Sequence, residues 1–515
     1  MTGFQTKTEM KKIYLLLMAA ALGLQVRAQD AVSAAPFGDT GKQSVRMAVP
    51  DTLLNFNYKF NYSVFDSPYK GAYEFSPYFI DIRPEASVLD GKKLFLRAGA
   101  GYSFHPELDF AYAPIVKSNF ALSVFADAGG YSYEDNRDLG ARAGVNARWN
   151  NESSVANLYA VYDGIFTGNK ENDYGFHSGD AGFNIKSIGD GTHFHYDLGV
   201  RYYYTTDDFT TGGRQSEHFV QAFGSFGPVI KDKYRILLDF GAGYDMLRGV
   251  DEINAGYYAL TPKVQFILGS FNISAGAKFD YAEKFRVAPA VDVDFSLLGN
   301  RLTVFAGVKG GQTPYTYRDM RMMNHRYLIA GVLDDFVRLS FEKFNAFGGI
   351  RGSVGSSFEY KVKAGYASVS NAPVYSTSMT YVFEDYKKFY AELSFTAHSE
   401  RVDVTGKFNY DRYTMQENTV GFTPPEFSGL FTFRYNWARR IFAGISVDGR
   451  SKSICENADF EAPGFVDLGV NLEYRLNRKW GVWAKGGNLA CMKIQRIPGF
   501  EEKGIYGTVG FSLVL

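Results

Sequence analysis

The sequence predicts an all-β fold, a transmembrane antiparallel up-and-down β-barrel of about 22 strands with a polar lumen. Three observations predict it: long stretches of two-residue alternation, connections that alternate short and long, and an aromatic-rich, proline-poor composition. Of 515 residues, 36 are Tyr, 45 Phe and 54 Gly, against only 16 Pro. Aromatics pack well on a pleated surface and glycine supplies tight turns, so this mixture favours strands over helices. Basic and acidic residues balance at 55 each. The basic runs of a nucleic-acid binder are missing, so no such partner is expected. At 46% hydrophobic residues, the chain has the composition of a folded protein.

At the N-terminus, Lys11 and Lys12 precede an apolar run from Ile13 to Leu24, and Val26-Arg27-Ala28 follows. A basic start, a short apolar stretch and small residues before the cut predict a secretory signal peptide over residues 1–28. The cut leaves Gln29, so no lipidated cysteine is expected there. Residues 1–28 hold four basic and one acidic residue, which leaves 51 against 54 and a net charge of −3. Elsewhere no run reaches the roughly 18 to 20 apolar residues of a membrane helix. Strands must do the crossing.

Residues 29–92 include Asn55-Phe56-Asn57-Tyr58-Lys59-Phe60-Asn61-Tyr62 and an aromatic-rich stretch from Tyr69 to Ile82. They show no folded-domain pattern and are expected to lie as an extended periplasmic or lumenal segment. The barrel is expected over 93–515.

Within it, Leu139, Ala141, Ala143, Val145, Ala147 and Trp149 alternate with Gly140, Arg142, Gly144, Asn146 and Arg148. Phe194, Tyr196, Leu198, Val200, Tyr202 and Tyr204 alternate with His195, Asp197, Gly199, Arg201 and Tyr203. Val466, Leu468, Val470, Leu472, Tyr474 and Leu476 alternate with Asp467, Gly469, Asn471, Glu473 and Arg475. Such runs exceed the mean globular strand of about five or six residues. Apolar residues facing out and charged residues facing in are the pattern of an outer-membrane barrel. A bilayer also forbids open strand edges, so the sheet must close.

Short turns are expected at 117–119, 149–151, 188–191, 227–233, 269–270, 299–300, 355–356, 398–401, 437–440 and 477–479. Mostly longer loops are expected at 166–175, 206–215, 247–255, 311–339, 370–387, 414–426, 452–463 and 491–505. Bacterial barrels put short turns in the periplasm and long loops outside, so loop 311–339 is expected at the cell surface. Trp149, Trp437 and Trp480 adjoin short turns, and Tyr131, Tyr133, Tyr202, Tyr204, Tyr257 and Tyr258 crowd the other ends. Among them, Trp149, Trp437, Trp480, Tyr202 and Tyr204 are expected in an interfacial aromatic belt against outer-membrane lipid.

Two stretches carry a family resemblance. The first is Lys92-Lys93-Leu94-Phe95-Leu96-Arg97-Ala98-Gly99-Ala100-Gly101, with the hairpin around His105-Pro106. The second runs from Arg475 to Leu515, with Asn477-Arg478-Lys479-Trp480, Gly487-Asn488-Leu489 and the final strand Gly507–Leu515. Over 93–515 the chain resembles the barrel of TonB-dependent receptors, and especially relatives that lack the plug. The resemblance implies a cell outer membrane location and a transport-type barrel for an unknown solute. Residues 29–92 are shorter than a receptor plug and show no energy-coupling box, so TonB-driven import is not expected. The chain also ends on Leu515 rather than on the aromatic usual for such barrels.

Candidate chemistry is sparse. Met320, Met322, Met323 and His325 lie together in loop 311–339, and thioethers with an imidazole can bind copper. Their irregular spacing favours a packing patch instead. His193 and His195 share a strand face without a third ligand. Arg97, Arg142, Arg201 and Lys407 against Asp109, Asp127, Asp197, Asp403 and Glu473 predict cross-strand ion pairs along the lumen. No catalytic motif is present, and neither enzyme activity nor a cofactor or metal is expected. Two cysteines, Cys455 and Cys491, lie in loops on one side of the barrel, and a disulfide between them is expected after export. Besides lipid and a solute, other outer-membrane or periplasmic proteins are possible partners. The alternative function is therefore a non-transporting structural or accessory subunit of an outer-membrane complex, for example in envelope assembly.

Overall fold

A computed structural model describes residues 94–515 except 103, 118, 134–135, 152, 169–172, 189–192, 211–212, 231–232, 250–251, 299–300, 327–338, 356, 379, 416–420, 439, 456–459 and 503. The expected signal peptide (1–28) and N-terminal segment (29–92) lie outside the described residues.

Alternating apolar and polar residues make strands of most of this chain. The first are β1 (Leu94–Gly101), β2 (Glu107–Val116), β3 (Phe120–Tyr133), β4 (Asn136–Asn150), β5 (Ser154–Gly168) and β6 (Asp173–Ser187). Next come β7 (Phe194–Thr210), β8 (Gly213–Ile230), β9 (Tyr234–Arg248), β10 (Ile253–Leu268), β11 (Phe271–Tyr281) and β12 (Phe285–Ser296). β13 (Thr303–Pro314) leads into a short helix, α1 (Tyr317–Met323). Then follow β14 (Leu339–Val354), β15 (Phe358–Tyr375), β16 (Tyr381–His398), β17 (Val402–Met415), β18 (Phe427–Trp437) and β19 (Ile441–Arg450). A small hairpin of β20 (Ser453–Cys455) and β21 (Phe460–Ala462) precedes β22 (Phe465–Arg475), β23 (Trp480–Gly487) and β24 (Tyr506–Val514).

Twenty-two of these strands form one antiparallel sheet that closes where β1 pairs with β24. The expected strand number, handed from neighbour to neighbour in chain order, is the one observed. At the seam, Leu94 N donates to Leu515 O at 3.0 Å and Leu515 N returns a bond to Leu94 O at 2.9 Å. Gly99 and Gly510 oppose each other across it. A Cβ on either would come within 2.4 or 2.5 Å of the Trp483 ring. Glycine is thus what lets Trp483 pack against the seam, with the Arg97 guanidinium 4.0 Å from its ring centre.

The inside–outside pattern follows the alternation. Val145, Trp149, Val200, Val466, Val470, Leu472, Tyr474 and Leu476 are all exposed on the outer face. Nothing soluble leaves so many large apolar side chains in contact with water, and a lipid-facing barrel wall requires them. The inner face carries ion pairs: Arg97–Asp109 at 3.6 Å, Arg142–Asp163 at 3.2 Å, Lys309–Asp292 at 3.0 Å, Lys388–Asp411 at 2.7 Å and Arg201–Asp180.

The two ends differ. Short connections such as 117–119, 151–153, 269–270 and 399–401 close one end. Gly269 and Gly355 turn there with φ of +59° and +63°, a region glycine enters without a Cβ clash. At the other end several expected loops are sheet instead. Strand β7 runs to Thr210 and β8 starts at Gly213, through the middle of the expected loop 206–215. Expected loops 166–175, 247–255 and 370–387 likewise shrink to the tips of hairpins. Their Thr, Ser, Gly and Asp content reads as loop. Cross-strand pairs such as Thr206↔Ser216 and Asp207↔Gln215 nevertheless hold residues of loop 206–215 in the ladder. A tilted strand needs roughly 9 to 11 residues to cross a bilayer. The 18 residues each of β8, β15 and β16 therefore extend the wall beyond it.

Candidate functional site: the capped mouth of the barrel

At the long-hairpin end, the β13–β14 connection turns inward. Thr316 caps α1 in a reciprocal box: its hydroxyl accepts from Asp319 N at 3.1 Å, and the Asp319 carboxylate accepts from Thr316 N at 3.4 Å. Thr316-Tyr317-Arg318-Asp319 is a helix-start signature that was readable in the sequence and overlooked. The helix has only seven residues, too few to be stable alone, so tertiary contacts must hold it.

Those contacts are of two kinds. On one side, wall strands supply carboxylates. Glu217 on β8 accepts from Tyr317 N at 2.7 Å and Arg318 N at 2.9 Å, satisfying two amides that every helix start leaves unpaired. Arg318 donates from Nε to Ser178 on β6 at 2.7 Å and pairs with Asp163 on β5 at 3.3 Å and Asp180 on β6 at 3.5 Å. Its guanidinium also lies 5.0 Å from the Tyr203 ring centre. Arg321 pairs with Asp207 on β7 at 2.5 Å. Just past the helix, His325 and Arg326 reach Asp138 on β4 at 2.9 Å and 3.2 Å. Burial holds the Tyr317 phenol above its ordinary range, so it stays neutral among these charges.

On the other side the contacts are apolar. Tyr317, Met320 and Met323 join Leu247, Ile253, Tyr315, Tyr375, Tyr381, Phe422, Cys455 and Ile497 in one buried cluster. Residues one helical turn apart share a face, which puts Met320 and Met323 together in this core. Tyr381 on β16 donates its hydroxyl to Met320 O at 2.8 Å, and Tyr375 on β15 donates to Met323 O at 3.2 Å. Other connections join the same cap. Phe422 N bonds Tyr375 O at 2.7 Å, and Thr423 N bonds Ile454 O at 2.8 Å. From the β23–β24 connection, Arg496 clamps Asp448 at 2.9 Å, Asp467 at 3.0 Å and Glu502.

Ring position shows what this cap does. β6 and β16, both bonded to α1, stand ten strands apart in a closed ring of 22, almost opposite each other. A helix about 10 Å long that touches both must lie across the opening. The mouth is crossed by the chain's own connections.

Several expectations change here. Loop 311–339 does not project from the surface over its described part: Asn324 is fully buried, and Met320 and Met323 are core residues. His325 serves Asp138 rather than the methionines. Neither this group nor His193 and His195 gathers a metal set, and no cluster of three His, Cys, Asp or Glu that could hold an ion occurs among the described residues. The expected disulfide is not formed: Cys455 and Cys491 both stand as thiols. Cys455 is locked into the apolar cluster by the β20–β21 hairpin, whereas Cys491 is exposed in a separate connection. Tyr131 and Tyr257 are buried, not placed on the outer belt. Trp149, Trp437, Trp480, Tyr202 and Tyr204 are exposed. Sequence reasoning missed Asp138, Asp163, Asp180, Asp207 and Glu217, which lie on strand residues with no local signal of a shared purpose.

No family model matches the sequence, and no curated protein matches it. Among solved structures, the fold is that of TonB-dependent receptors. The FrpB iron transporter from Neisseria meningitidis (F3-3 variant) is similar with a TM-score of 0.65 at 9% identity, covering 84% of each chain. The ferric-catecholate import receptor Fiu from K12 E. coli gives 0.61 at 9% identity over 82% of each chain. The copper transporter OprC gives 0.61 at 12% identity, over 82% of this chain and 80% of that one. At these identities the likeness is one of fold.

Proposed function

We propose that this chain is an outer-membrane transport barrel that passes a solute through its lumen. The observation that carries the reading is a closed 22-strand wall, apolar outside and ion-paired inside, whose mouth is crossed by folded connections. A wall of this size encloses far more space than side chains can fill, and large barrels either conduct or are plugged. The fold shared with an iron transporter, a ferric-catecholate receptor and a copper transporter supports transport as the class of activity. In this reading residues 29–92 are an extended segment in the lumen or periplasm.

Single-channel recording in planar bilayers tests it. Three proteins are compared: the full chain, the chain without residues 29–92, and the chain with 316–326 replaced by a Gly-Ser linker. Discrete currents from the linker protein are expected. Silence from all three overturns the pore reading, and a co-purifying envelope protein would then favour the accessory-subunit role.

A further inference from the structure

We propose that α1 is a releasable cationic latch, and that the passage it vacates admits cations in preference to anions. The proposal rests on the transport reading above. Four cationic or ionisable side chains on α1 and its flank, Arg318, Arg321, His325 and Arg326, meet the carboxylates Asp138, Asp163, Asp180 and Asp207. Glu217 adds a fifth carboxylate at the helix start. The wall itself brings guanidiniums to this group at Arg142, beside Asp163, and Arg201, beside Asp180.

The wall is therefore charged for the latch and not for itself. With α1 away, these five carboxylates face these two guanidiniums, a surplus of three negative charges among the named groups at the mouth. Across the lumen, Lys309, Arg351 and Lys388 are already paired with Asp292, Asp294 and Asp411, so these three cations do not cancel the surplus. A passage lined by one sign of charge concentrates the opposite ion. The latch also has the makings of a two-state element. Its ion pairs stabilise the docked state, and a seven-residue helix has little structure of its own to keep once undocked.

The test records currents from the full-length chain and from the double variant Arg318→Gln/Arg321→Gln. A second double variant, Arg318→Gln/Arg326→Gln, leaves the enclosed Arg321–Asp207 pair intact and serves if the first does not refold. Arg351→Gln, paired with Asp294 away from α1, is the control. Open probability should rise about tenfold or more in a latch variant and stay unchanged in the control. In a potassium chloride gradient the reversal potential should move toward that of potassium. Refolded latch variants that stay closed while the 316–326 linker protein conducts overturn the latch and leave the pore reading standing. Anion-selective currents overturn the charge argument. Silence of the linker protein as well overturns the pore reading itself.

Discussion

Arg321 of α1 and Asp207 of β7 pair at 2.5 Å with side-chain exposures of 2% and 0%, which makes them an enclosed ion pair rather than a surface contact. Enclosure sets the cost of breaking it. Removing one member leaves the other's charge where water hardly reaches it.

Asp207→Asn or Arg321→Met alone should therefore destabilise the cap by about 3–5 kcal/mol, the usual penalty for halving a buried pair. The double substitution should recover much of that loss, because no orphan charge remains. Urea unfolding of the four proteins in a double-mutant cycle checks it. Additive losses would show that the two residues do not act as a pair.

Val470 and Asn471 test the wall. Val470 is exposed on the outer face, and Asn471 turns inward beside Gly444. Val470→Arg should cost roughly 2–4 kcal/mol of barrel stability if it lies near the bilayer midplane, and Asn471→Arg far less. Equal shifts of the urea midpoint in lipid vesicles would contradict the assignment.

The belt is tested by light. Trp149, Trp437 and Trp480 are 42%, 65% and 44% exposed, whereas Trp483 is 4% exposed. Lipids brominated close to the headgroup should quench the first three more strongly than lipids brominated at mid-chain. A protein retaining only Trp483 should respond weakly to both. Two outward pairs, Tyr162–His177 at 2.7 Å and Tyr202–His218 at 2.9 Å, put polar groups on the same face, which suits the headgroup level.

The thiols give the plainest outcome. A maleimide added to the folded barrel should label Cys491 and spare Cys455, which has no exposed surface. Both should react after unfolding without reductant. Failure to label either thiol until reduction would restore the disulfide.

Alternation along the chain determined much of this protein. Val466, Val470 and Leu472 face lipid because strand side chains alternate strictly, and that geometry is local. Strand number followed from counting short turns such as 149–151 and 398–401, also local features. The Thr316–Asp319 box was legible too, although it marks only where a helix starts.

What α1 rests on was decided by the tertiary structure alone. Tyr317 meets Glu217 across 100 residues of sequence, and His325 meets Asp138 across 187. Asp138, Asp163, Asp180, Asp207 and Glu217 stand on five successive strands; the pairing of neighbouring hairpins sets them side by side, and closure of the sheet makes them one side of an opening. Hairpin residues that read as loop, such as Thr206 and Asp207, became buried wall because the ladder continues above the membrane. Cys455 shows the same limit: its distance from Cys491 depends on how the connections fold over the mouth. Periodicity reports which way a side chain points. It carries no information about what, from the far side of a ring, will meet it.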